Sequence, residues 1–183
     1  MNEKLIKILK EILSTSIYLL LVVCFATLFI TYVGQRTQVC GSSMESTLSD
    51  SDHLIVDKIS YRFSDPKRFD IIVFPFQHST DTYYIKRIIG LPGETVYIDD
   101  KGQIFINDEL LEESYGREVI MNPGRASEPV QLADDEYFVM GDNRNNSLDS
   151  REMIVGNIKR DEITGRAFIR IFPFSKFGLL KHQ

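Results

Sequence analysis

A chain of 183 residues is long enough for one packed domain with an appendage and too short for two large ones. Its 43% hydrophobic and 26% charged residues exclude global disorder. Within a net charge of -5, residues 1–36 carry +2 (Lys4, Lys7, Lys10 and Arg36 against Glu3 and Glu11) and the remainder -7, which argues against nucleic acid as partner because phosphate binding needs a basic face.

The first predicted element is apolar. Ile17 to Val33, "IYLLLVVCFATLFITYV", runs 17 residues without a charge, roughly 25 Å of helix, and reaches bilayer thickness when extended back to Ile12. Three lysines precede it and only Arg36 closely follows, which places the N-terminus in the cytoplasm and the rest outside. No small-x-small cleavage site follows the run, "TYVGQR" being a poor match, so it reads as an uncleaved anchor across residues 12–34 between a cytoplasmic stretch, 1–11, and an extracytoplasmic domain, 35–183. Cys24 falls inside this segment, which makes a bridge to Cys40 unfavourable. His53, His78 and His182 are scattered with no metal-ligand spacing, so neither a metal nor another cofactor is expected.

After Arg36 the helical period disappears. Short β-rich runs bounded by turn residues predict strands near Thr37–Cys40, His53–Ile59, Asp70–Phe76, Tyr83–Ile89, Thr95–Asp99, Gln103–Asn107, Glu136–Met140 and Gly165–Phe172. "DDKG" at 99–102 signals a hairpin turn, and "NPGRASEP", Asn122 to Pro129, an exposed loop. Strand-turn-strand rhythm without intervening helices predicts a mainly β fold: one transmembrane helix followed by an antiparallel, barrel-like sheet domain.

Three segments carry chemistry. In "YYIKRIIGLPGE", Tyr83 to Glu94, Lys86 and Arg87 sit on opposite faces of an apolar strand, so one of the two must point at an apolar interior or a cleft. Arginine stays protonated anywhere, whereas a desolvated lysine gives up its proton and becomes a general base. The bland alternative is an edge lysine whose stem covers apolar surface while its head reaches water. "CGSSMESTL", Cys40 to Leu48, is a serine-rich turn that offers nucleophiles, although turn serines more often cap than attack. "GDNRNNSLDSR", Gly141 to Arg151, packs Asp142, Arg144, Asp149 and Arg151 among amides and serines, with an arginine where a calcium loop needs an oxygen ligand.

Together these segments resemble the type I signal peptidases, membrane-bound serine proteases with a Ser-Lys dyad, in a single-anchor form like that of Gram-positive bacteria. "SSMESTL", "FDIIVF", "YIKRIIGLPGE" and "GDNRNNSLDSR" match that family's four boxes in order behind one anchor. The resemblance implies a bacterial cell-membrane endopeptidase that removes signal peptides from secretory preproteins after small-x-small motifs, with the lipid bilayer as its second partner; it leaves the oligomeric state open. By matched position Ser43 is the nucleophile and Lys86 its base, while Ser147 hydrogen-bonds the lysine amine. Arg87 with Asp142, and Asp149 with Arg151, are buried ion pairs, and Arg87 points away from the cleft. Val39, Met44, Leu48, Tyr84 and Ile85 line shallow substrate pockets.

Two residues depart from the family pattern. Ser46 stands where proline is usual, which removes one φ restraint from the turn. Gly41 stands where some members carry a serine that donates to the oxyanion, so the identity of a second donor is open. The rivals are an inactive membrane-anchored peptide binder, a penicillin-binding-type Ser-Lys pair in "SDPK" (Ser64 to Lys67), and a triad using His53 or His78. Pro66 disfavours the helical turn that the second of these needs.

Overall fold

The computed structural model describes residues 3–32, 34–76 and 82–180. One long helix, α1 (Glu3–Tyr32), precedes twelve strands: β1 (Gly34–Gln38), β2 (His53–Asp57), β3 (Ile71–Pro75), β4 (Tyr83–Gly90), β5 (Thr95–Ile98), β6 (Ile104–Ile106), β7 (Glu109–Leu110), β8 (Val130–Gln131), β9 (Glu136–Met140), β10 (Ile158–Lys159), β11 (Gly165–Phe172) and β12 (Gly178–Leu179). The chain is therefore one apolar helix followed by antiparallel β-structure, the class its periodicity predicts. Each of the eight anticipated strands is present. The four that were missed, β7, β8, β10 and β12, have two residues apiece, too few to show a period of two. The first strand starts earlier than expected, at Gly34, because β1 pairs along its whole length with β2, from Gly34 opposite Asp57 to Gln38 opposite His53.

Helix α1 contains an apolar span, Ile6–Phe29, of 24 residues and mean hydropathy 2.3, with none of it buried against the rest of the chain. At 1.5 Å per residue the span covers about 36 Å, enough for a hydrocarbon core of about 30 Å. It begins before residue 12 because Ile8 and Leu9 continue the apolar pattern between the lysines. Side chains such as Leu20 and Phe25, 68% and 70% exposed, have no protein surface to cover them. That is the signature of a lipid-facing helix rather than a core helix. Cys24 and Cys40 are both free.

The strands form two sheets, one in the order β1-β2-β11-β3-β4-β9-β10 with β12 beside β11, the other β7-β6-β5-β8. Alternation along β3 explains the larger sheet: Ile71 and Val73 pack on one face with Val39, Met44, Leu48 and Ile85, while Ile72 and Phe74 pack on the other with Ile88, Tyr137 and Val139. A sheet covered on both faces reads as a continuous apolar run, as "IIVF" does. The smaller sheet closes a third cluster, setting Val96, Ile98, Ile104 and Ile106 against Ile89, Phe138 and Met140. The 99–102 turn is the predicted hairpin, with the Asp99 carboxylate accepting from the Lys101 and Gln103 N–H groups. Asn122–Pro129 differs from expectation. It holds a short 3-10 helix, Gly124–Ser127, whose Ala126 is fully buried in the third cluster.

Candidate active site

The turn after β1 begins at Gly41, whose φ of 91° lies in the left-handed region that glycine adopts without a Cβ clash. Its N–H donates to Asp50 Oδ1 at 2.7 Å. Met44 and Leu48 then anchor the turn in the core, and the Leu48 N–H closes it on the Met44 carbonyl at 2.8 Å. Ser43 stands immediately before the first of these anchors, half-buried.

Strand β4 brings up the two cations, and neither reaches water: Lys86 is 4% exposed and Arg87 0%. Lys86 Nζ lies 2.8 Å from Ser43 Oγ and donates to the Ile85 carbonyl at 3.1 Å. Burial drives the lysine pKa down from 10.5 to about 8, against the opposing pull of the Asp149 and Asp142 carboxylates. Arg87 forms a two-pronged pair with Asp142, Nε to Oδ1 at 2.8 Å and a terminal nitrogen to Oδ2 at 2.7 Å. Unlike Lys86 it does not line the cleft, and it points to a carboxylate as expected. Asp142 Oδ2 also accepts from the Thr47 hydroxyl, so the ion pair braces the turn from beneath.

The 141–151 loop follows β9 and lies against the same turn. Asn143 N–H donates to the Ser43 carbonyl at 3.0 Å and its side-chain amide to the Ser42 carbonyl at 3.1 Å. Asp149 pairs with Arg151 at 2.8 Å and accepts from the Gly141 N–H at 3.0 Å. Ser147 departs from expectation: its buried Oγ has no hydrogen-bond partner, and the lysine amine is engaged by Ser43 and Ile85 instead.

A cleft of about 710 Å³ opens over these groups, lined by residues including Val39, Ser43, Met44, Tyr84, Ile85 and Lys86. Leu48 is not in its wall; fully buried, it supports the turn from the core side. His53 lies elsewhere, beside Arg36 at 3.2 Å and edge-on to Phe172. His78 and His182 fall outside the described residues. The arrangement supplies an alcohol touching a dehydrated amine at the floor of an open groove, the parts of nucleophilic acyl transfer.

The family model for signal peptidase, peptidase S26, matches residues 10–172. The chain belongs to this family. It is 42% identical over 158 residues to a probable signal peptidase I-2 of Synechocystis sp., an alignment spanning 82% of this chain and 68% of that protein. Signal peptidase I of Leptolyngbya laminosa is 41% identical over 160 residues, 82% of this chain and 74% of its own. Signal peptidase I P of Bacillus subtilis subsp. natto is 36% identical over 187 residues, 98% of this chain and 99% of its own.

In this signal peptidase the segment after β7 also reaches the site, which the sequence did not disclose. Tyr115 lies 3.6 Å over the Arg87 guanidinium, Glu113 pairs with the buried Arg144 at 2.7 Å, and Arg117 pairs with Glu45 at 3.0 Å, two residues from Ser43. These contacts join residues 28 or more apart, and a lone acidic or aromatic residue in a loop carries no mark of them.

Gly141 is the tightest junction. A Cβ there would overlap the Ser43 carbonyl oxygen and the Ser147 side chain, the former being backbone that cannot rotate aside. Gly141→Ala is expected to cost about 1–3 kcal/mol and to push the Ser43 peptide out of place. Thermal unfolding and preprotein cleavage check it: an unchanged Tm with full activity would show that the junction yields.

Proposed function

We propose that Ser43 is the nucleophile and Lys86 the general base of this signal peptidase. The chain is a membrane-anchored serine protease that cleaves signal peptides. The observation that carries the residue roles is the 2.8 Å contact between the Ser43 hydroxyl and an amine buried enough to lose its proton near pH 8. In the neutral form the amine accepts the hydroxyl proton while Ser43 Oγ bonds to the scissile carbonyl carbon and the C=O electron pair moves to oxygen. Collapse of that intermediate breaks the C–N bond, with the Lys86 ammonium protonating the leaving amine. The Lys86 amine then takes a proton from water as the water oxygen bonds to the acyl carbon, and returns it to Ser43 Oγ as the ester C–O bond breaks. With Ile85 O accepting one amine hydrogen and Ser43 donating to its lone pair, a second N–H remains, and the partnerless Ser147 hydroxyl is the acceptor proposed to aim it.

The substrate reading rests on the groove. Strand β9 pairs with β4 only from Arg87 to Gly90, leaving Tyr83–Lys86 with one edge unpaired among the described residues, to which an extended peptide can add. Val39, Met44, Tyr84 and Ile85 present apolar walls close to the dyad, suited to small side chains such as alanine at the small-x-small positions before the cleaved bond. Lys4, Lys7 and Lys10 support a topology in which residues 1–11 form the cytoplasmic end, the apolar segment through 12–34 crosses the bilayer, and residues 35–183 lie outside it, where preproteins emerge.

A pH profile tests the base. For the full chain in lipid vesicles, kcat/KM for a preprotein should climb along a limb near pH 8. Replacing His53, His78 and His182 together should leave that limb in place. A limb near pH 6.5 that vanishes with the histidines, or a profile flat from pH 6 to 10, would refute the lysine assignment.

A further inference from the structure

Acyl transfer places a negative charge on the carbonyl oxygen, and that charge is stabilised by donors already aimed at it. Several donors near Ser43 are committed. The Gly41 N–H goes to Asp50, and both the N–H and the side-chain amide of Asn143 go to the carbonyls of Ser43 and Ser42. Among the described residues the Ser43 N–H and the Ser42 O–H are donors at the turn without an acceptor.

The Ser42 hydroxyl is not idle. Asn146 Nδ2 donates to Ser42 Oγ at 2.9 Å, and Ser42, Ser43 and Asn146 line the same cleft. A hydroxyl has one proton and accepts through its lone pairs, so the bond from Asn146 fixes the oxygen while leaving the proton to be given elsewhere. Accepting a hydrogen bond also polarises the O–H and strengthens it as a donor. The nearest place where negative charge develops is the carbonyl oxygen of a peptide attacked by the neighbouring residue.

We propose that the Ser42 hydroxyl, oriented by Asn146, donates to the oxyanion together with the Ser43 N–H. Ser42 is then a catalytic residue and Asn146 a positioning residue acting through it. The assignment rests on the reading of Ser43 as nucleophile. It also gives Asn146, an exposed amide in a loop, a reason to face the cleft.

The test is steady-state cleavage of a preprotein by the full chain in lipid. Ser42→Ala should lower kcat about 100-fold with KM little changed, the loss typical of one oxyanion donor. The rising limb near pH 8 and the Tm should stay where they are, since the base is untouched. Ser42→Thr should recover most of what alanine loses. Asn146→Ala should lower kcat about 10-fold alone and add nothing to Ser42→Ala, as coupled groups behave. Asn146→Asp should be as damaging as Ser42→Ala, because a carboxylate would take the Ser42 proton for itself. A Ser42→Ala enzyme within threefold of wild type overturns the proposal, as does multiplicative loss in the double variant, which would make Asn146 a donor in its own right. Ser43→Ala run in parallel separates the two readings: if it still cleaves, the nucleophile assignment has failed rather than the donor.

Discussion

Lys86→Met is expected to abolish cleavage and, at neutral pH, to offset much of its own structural damage. Methionine keeps the length of the side chain and removes the base, so Ser43 attacks as an unactivated alcohol. Loss of one member of a unit that acts together costs about 10⁴-fold or more in kcat. The stability effect runs the other way. Lys86 has its pKa depressed from 10.5 to about 8 by burial, so the folded state binds fewer protons than the unfolded chain between those values. Below pH 8 the folded protein bears the full cost of burying a charge; above 10.5 the cost is gone, because the amine is neutral in both states. The shift corresponds to about 3 kcal/mol. Wild-type stability relative to Lys86→Met should therefore rise by about that amount between pH 7 and pH 11, whatever pH-independent contacts the methionine loses. Denaturant titrations of both proteins at several pH values measure it, and a difference that stays constant with pH would mean the amine is hydrated in the folded protein.

The second large effect is expected of Asp142→Asn. The Arg87 guanidinium is 0% exposed and donates to both carboxylate oxygens, so neutralising Asp142 strands a buried cation, a loss of about 3–5 kcal/mol. Two further consequences separate this from general loosening. Thr47 loses its acceptor and the Ser43 turn its brace from beneath, so cleavage should fall along with stability. The Asp142 charge also raises the Lys86 pKa, so its removal should move the rising limb of the pH profile below 8. Replacing both partners with apolar residues, Arg87→Met with Asp142→Leu, should recover much of the stability, since a buried pair does little more than offset its own desolvation. A single variant as stable as wild type, with its limb unmoved, would show that water reaches the pair.

The sequence and the structure agree best where one residue's environment is set by its near neighbours. Short continuous apolar runs in "IIVF" and "EYFVM" marked β3 and β9, and a much longer one marked α1. Agreement was poorer where long-range packing decides. The resemblance put Leu48 in a pocket wall, but the turn folds it beneath the surface instead. Arg87 faces away from the cleft to a carboxylate as expected, but that the same carboxylate also accepts from Thr47 in the Ser43 turn could not be read from the strand. Ser147 lies close to the Ser43 peptide, but proximity in a loop does not dictate which rotamer bonds to the amine.

The amino-acid order by itself determined that a lipid-length helix precedes a β domain, and that a serine turn, a lysine strand and an Asp/Arg loop occur in the order of one family. Those properties follow from composition and short-range period. Only the tertiary structure decided that residues 43 positions apart come within 2.8 Å, that the lysine is 4% exposed, and that Asn146 meets Ser42. Distance and dehydration are set by the whole packed sheet rather than by any local stretch, and an amine's pKa depends on both.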